Sequence, residues 1–232
     1  MIAVTTRRFV TIAATIAMLS CVSEHAFAQA RQQPRPAPAA QPSRGVDIGG
    51  YAMFGNVSFA SAESFEAILG ESSGPILGGG ARIGLPWAGL FVDIGAWRFH
   101  GEGERAFVYN DEVFPLGIPV DVTMTPLELS AGWRFRIRRM PKFVPYVAGG
   151  YTSMRYQETS DFATEDENVD ENFGGYHLLG GAEYKITRWL GVAGEASWST
   201  VPDAIGEAGV SQRFSENELG GTTFRFKVTI GR

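Results

Sequence analysis

At 232 residues the chain is long enough for one barrel or sandwich domain, or at most two small ones. Its formal charge is −5 at pH 7 with no long basic tract, which excludes a nucleic-acid-binding surface. A single cysteine, Cys21, excludes an intramolecular disulfide framework.

The first segment reads as targeting. Arg7 and Arg8 precede the apolar run "FVTIAATIAML", and "AFA" at residues 26–28 supplies the small residues of a cleavage site. The run falls short of the about 20 residues a spanning helix needs. Residues 1–28 are therefore expected to be a signal peptide, with the mature chain starting at Gln29. "MLSC", ending at Cys21, fits a lipoprotein signal poorly at Met18 and Leu19, and the flanks of Arg7–Arg8 match a twin-arginine signal weakly. Residues 29–45 lack apolar periodicity and are punctuated by Pro34, Pro36, Pro38 and Pro42, the composition of an extended periplasmic linker.

From Val46 onward one pattern recurs. In "LELSAGWRFRI" (127–137), Leu127, Leu129, Ala131, Trp133, Phe135 and Ile137 share one parity; Glu128, Ser130, Gly132, Arg134 and Arg136 share the other. Similar alternation marks residues 76–85, 90–97, 176–186, 190–198 and 223–230, with less regular members at 46–54 and 144–154. Eight strands result. The turns "PWAG" (86–89), "RRMPK" (138–142) and "TRW" (187–189) are short, whereas the connections between them are long. Short turns at one end and long loops at the other point to an all-β fold, an antiparallel up-and-down eight-stranded transmembrane β-barrel over residues 46–232. Two long loops carry local structure. Ser61 and Gly70 bracket a Phe65/Ile68/Leu69 helical stripe, and "AFVYNDEVF" is a hairpin turning at Asn110–Asp111.

Period two alone does not say which face looks inward. Glycine is concentrated on the polar face, at Gly78, Gly80, Gly84, Gly95 and Gly132, which suits a narrow bore. Tryptophan lies near strand ends. Trp87, Trp133 and Trp189, with Phe143, Tyr146 and Tyr184, form one expected aromatic belt toward the short turns. Trp97 and Trp198, with Phe54, Phe99 and Tyr176, form another toward the long loops, although the parity of Trp97 puts it on the Asp93 side. The apolar face is accordingly expected in lipid, where an Arg or Lys costs about 2–4 kcal/mol at mid-membrane. Arg82, Asp93, Glu128, Arg134, Glu183, Glu195, Arg225 and Lys227 then look into the lumen, where a network of opposite charges across the axis is expected. Eight strands leave an interior just wide enough for side chains, so a plug is favoured over an ion pathway.

The stretches "VPYVAGGY" (144–151), "GGAEYKITRWLGVAGEASW" (180–198) and "GGTTFRFKV" (220–228) resemble the small eight-stranded outer-membrane barrels typified by the OmpA transmembrane domain and OmpX. Gly221, Phe224 and Phe226 fit the Gly-x-x-Φ-x-Φ part of the terminal signal that such proteins show to the barrel-assembly machinery. Leu219 and Arg232 depart from it. The resemblance implies an outer-membrane location reached by export, with membrane lipid, lipopolysaccharide and the assembly machinery as partners. It does not fix a function, because the group includes adhesins, anchors, narrow pores and lipid-modifying enzymes.

Three patterns invite chemistry. Asp166, Asn168 and Asp170 open a calcium-loop motif, but Glu171 stands where glycine is wanted and His177 where a bidentate Glu is wanted, leaving a solvated acidic loop. "GGGARIG" (78–84) has the wrong spacing for a nucleotide loop and no following helix. A lipid-directed hydrolase would need a base such as His177 beside Ser197 or Ser199. No catalytic, metal or cofactor role is assigned to any residue. The expectation is a non-enzymatic envelope-structural or surface-interaction protein acting through long outward loops. A narrow passive channel is the alternative, and the hydrolase comes third.

Overall fold

The computed structural model describes residues 45–86, 89–110, 112–162, 168–206 and 209–231. The signal segment, the proline-rich linker up to residue 44, Trp87, and Asp166 of the acidic loop lie outside the described residues.

The chain runs β1 (Asp47–Phe59), α1 (Ala62–Leu69), β2 (Ser73–Gly84), β3 (Leu90–Tyr109), β4 (Glu112–Arg134), β5 (Phe143–Thr159), β6 (Val169–Lys185), β7 (Leu190–Thr200), α2 (Gly209–Phe214) and β8 (Gly221–Gly231). The eight strands form a closed barrel of antiparallel neighbours, sealed by β1 against β8 from Gly49↔Gly231 to Phe59↔Gly221. Closure pairs every strand and leaves no sheet edge, which a bilayer requires of strands. The turns after β2, β4 and β6 are short; α1, α2 and the outer half of the β3–β4 hairpin lie at the opposite, loop end.

The local signals account for most of these elements. Tyr109 pairs with Glu112 across a tight turn in which Asn110 takes φ 50°, as a two-residue hairpin demands. The β3–β4 register slips between Glu104 and Ala106, opposite Pro119 and Pro115, which have no amide to donate. Gly70 ends α1 at φ 75°, its amide donating to the Glu66 carbonyl. Strand β4 stops at Arg134 rather than at Ile137, although the Phe135 amide still donates to the Pro145 carbonyl at 2.8 Å. Helix α2, with six residues, is too short to show a period in the sequence.

The apolar parity faces outward. Leu127, Leu129, Val147, Leu178 and Phe224 are exposed, and Glu128, Ser130, Glu183, Glu195 and Arg225 are buried inside the barrel. Toward the loop end this polarity inverts. Beyond the level of Tyr151, Tyr176 and Trp198, the outward positions become Arg98, His100 and Glu102 on β3, Asp121 on β4, Arg155 on β5 and Asp170 on β6. The inward positions there become Met53, Val57, Phe99, Val122, Met124 and Met154, which form one apolar cluster with Phe59, Phe65 and Leu219. The outer third of the barrel is thus built like a soluble one, oily within and charged without.

Candidate functional site

Inside the barrel the eight expected lumen residues are brought together in two layers. Near the short turns, Glu183 Oε2 accepts from Arg82 Nη2 at 3.0 Å and from Arg134 Nη2 at 2.5 Å, and Arg134 Nη1 lies 3.6 Å from Asp47. In the middle, Arg225 donates to both oxygens of Glu128, at 2.5 and 2.6 Å, and reaches Glu195 at 3.4 Å. Lys227 Nζ donates to Glu195 at 2.6 Å and stands 4.4 Å from the centroid of the Tyr51 ring, while Tyr51 Oη donates to Asp93 at 2.6 Å. Charges taken out of water need this pairing and this number of hydrogen bonds to be tolerated. A pocket bordered by Tyr51, Asp93, Glu195 and Lys227 holds about 10 Å³, roughly the smallest volume that holds one water, and one of about 100 Å³ lies beside Arg82, Arg134 and Glu183 toward the short turns.

Glycine makes that density possible. A Cβ on Gly80 or Gly95, which pair on β2 and β3, would fall 2.4 and 2.6 Å from Tyr51 Oη. The two glycines therefore form the recess into which the phenol fits beside Asp93.

The aromatic residues separate into two groups. Trp133, Trp189 and Tyr184 near the short turns and Trp198, Tyr176 and Tyr151 near the loop end present large exposed faces outward. Tyr146, expected in a belt, points inward instead: it is 4% exposed, and its Oη donates to Glu195 at 3.0 Å. The reason is register. Tyr146 shares its parity with Val144 and Ala148, both buried, and a Cβ on inward-facing Gly181 would meet its ring at 2.8 Å. Trp97 likewise obeys its parity with no bulge, being 3% exposed with Nε1 donating to Glu128 at 3.0 Å. Phe99 belongs to the apolar cluster and not to a belt.

His177 is enclosed. Its Nε2 lies 2.7 Å from Ser130 Oγ and its Nδ1 2.8 Å from Thr152 Oγ1, so both ring nitrogens are occupied. Ser199 sits across from it in the β6–β7 register but contacts the Gly221 carbonyl, and Ser197 Oγ is buried with no partner among the described residues. The serines expected to approach His177 are thus not its partners, and the Ser130–His177 contact lies in the barrel interior, away from both surfaces.

Two places hold donors suited to a cation. His100, Glu102 and Asp121 converge on the outer face of β3 and β4, with His100 Nε2 3.9 and 3.7 Å from the two carboxylates; all three are exposed. In the acidic loop, Asp170 already accepts from Arg155 Nε at 2.8 Å and Nη2 at 2.5 Å, and Asn168 accepts from the Ser160 amide. These hydrogen bonds hold the Asp170 carboxyl below its usual range.

The loop end is a folded cap. Glu216, from the β7–β8 connection, accepts from the amides of Glu63 and Ser64 at 3.1 and 2.8 Å, capping α1 from across the molecule. Ser61 does not cap its own helix; its hydroxyl donates to the Glu218 carbonyl. Between these loops lies a cavity of about 690 Å³, with Phe65, Leu69, Phe173 and Leu219 on its apolar side. Its polar side carries Arg105 and Glu158, 3.8 Å apart, and Tyr156, which donates to Glu158 at 3.3 Å. Burial, aided by that carboxylate, pushes the Tyr156 phenol well up.

Residues 14–230 match the family described as outer membrane protein beta-barrel domain. No curated protein matches the chain. Among solved structures, neisserial surface protein A (NspA) is 13% identical, with 80% of this chain and 96% of that one covered and a TM-score of 0.49. The N-terminal β-barrel domain of Pseudomonas aeruginosa OprF is 12% identical, covering 80% and 97%, at 0.43. The outer membrane protease OmpT of Escherichia coli is 10% identical, covering 80% and 94%, at 0.35.

Proposed function

The chain belongs to the outer membrane protein β-barrel domain family, and from that premise we propose a non-enzymatic integral outer-membrane barrel that meets its surroundings through the cap and not through the bore. One observation supports this reading: the pocket beside the paired charges of the mid-barrel holds about 10 Å³, whereas a cavity of about 690 Å³ opens among the loops. Such packing favours a plug over an ion path, and surface chemistry has a shaped site. The exposed apolar faces of the strands suit membrane lipid, and the charged outer face of the β3–β4 hairpin suits the polar headgroups of lipopolysaccharide. Phe224 and Phe226 stand outward on β8, available to the barrel-assembly machinery after export through a cleaved signal peptide. Enclosure of His177 between Ser130 and Thr152 supports a role without lipid hydrolysis.

Planar-bilayer recording tests the reading against the narrow-channel alternative. The purified protein, identified as folded by heat-modifiable gel migration, is expected to give no steady single-channel conductance. A persistent conductance altered by Glu128→Ala overturns it.

A further inference from the structure

The cap cavity has a chemical bias. Among the described residues four charged side chains line it, and three of them are acidic: Glu158, Glu171 and Asp203 against Arg105. Glu158 is engaged by Arg105 and by Tyr156 Oη, and Asp203 accepts from Asn217 Nδ2 at 3.2 Å. Glu171 is left. It is exposed at the mouth of the cavity, on β6 two residues above Phe173, and its carboxylate has no hydrogen-bond or ion-pair partner among the described residues. On the opposite wall Ser64 is buried, and its hydroxyl has no hydrogen-bond partner among the described residues. Phe65, Leu69 and Phe173 supply an apolar wall to the same space.

We propose that this cavity binds an organic cation: a small molecule with an apolar body, seated against Phe65, Leu69 and Phe173, and an ammonium group held by Glu171. The volume lies within the about 300–1,000 Å³ of small-molecule sites, and the lining divides about evenly between apolar and polar groups. An ammonium gains a charge-assisted hydrogen bond from the carboxylate and attraction from nearby ring faces. An anion of the same shape meets Glu171 without compensation. The inference rests on the proposed role of the cap and names the ligand class that role would serve.

The full chain in lipid nanodiscs is titrated with three probes that share one body: 4-phenylbenzylamine, 4-phenylbenzyl alcohol and 4-phenylbenzoate. Binding is read by isothermal titration against empty nanodiscs. The amine is expected to bind about five- to tenfold more tightly than the alcohol, and the carboxylate most weakly. Glu171→Gln should remove the preference for amine over alcohol while leaving the alcohol unchanged, and Ala106→Trp, which fills the cavity, should weaken all three. Equal affinity for the three probes, an undiminished amine preference in Glu171→Gln, or no binding at all overturns the proposal. Conductance of the same preparation separates the two failures. A closed bore without amine binding refutes this inference alone, and an open bore refutes the proposed role of the cap.

Discussion

Arg225 is central to the charge-filled lumen. It gives two hydrogen bonds to Glu128 and one longer contact to Glu195. Arg225→Met leaves Glu195 with Lys227 and Tyr146, but leaves buried Glu128 with Trp97 Nε1 as its remaining donor among the described residues. A buried carboxylate stripped of its cation costs about 3–5 kcal/mol. At about 1–3 kcal/mol per molar urea, the unfolding midpoint should fall by roughly 1–5 M. Adding Glu128→Leu removes the stranded charge and should restore most of the loss, because a buried pair and an apolar replacement are often close in stability. The assay is urea unfolding in lipid vesicles, followed by tryptophan fluorescence and heat-modifiable migration, across the four proteins of a double-mutant cycle. If Arg225→Met costs less than about 0.5 kcal/mol and the coupling vanishes, Glu128 is solvated. The lumen is then wet, and the sealed-barrel reasoning fails.

Three further outcomes are expected. Leu129→Arg, outward at mid-barrel, should cost about 2–4 kcal/mol, whereas Glu102→Arg, outward but beyond the inversion, should cost less than about 0.5 kcal/mol; equal costs in vesicle unfolding would refute the placement of the boundary. Gly95→Val should displace Tyr51 from Asp93 and destabilise the barrel by about 2–3 kcal/mol, seen as a lower temperature for loss of the compact gel form; an unchanged temperature would show that the phenol does not need the recess. Asp170 should titrate below the usual carboxylate range, so its contact with Arg155 is present at neutral pH and is lost as pH falls through that lowered value. Arg155→Gln should return the NMR-detected titration to the ordinary range, and an unmoved titration would exclude Arg155 as the cause.

The strands were legible because one face meets a single environment over most of their length. Leu127 to Trp133 alternate cleanly since lipid lies on one side and paired charge on the other. Tyr146 was not legible, because its neighbours Val144 and Ala148 are as apolar as the outward Val147, and only register against β4 and β6 separates them. Trp97 carried its answer in its parity. The inversion is also written in β4, where Val120, Val122 and Met124 occupy the opposite parity to Leu127 and Leu129, with Thr125 and Pro126 between them. A strand judged by one parity reads past that change. Capping of α1 by Glu216 joins residues 153 and 152 positions apart, and the cavity is made by four connections meeting at one end. Neither leaves a periodic trace.

The inversion of the two faces also fixes the draught of the molecule, as a waterline does for a hull. Sinking by one residue, about 3.3 Å, would carry Arg98 and Arg155 toward hydrocarbon; rising by as much would lift the rings of Tyr176 and Trp198 out of the headgroups. Vertical drift is therefore resisted in both directions. In a sheet of lipid too thick or too thin, the bilayer rather than the protein should do the yielding.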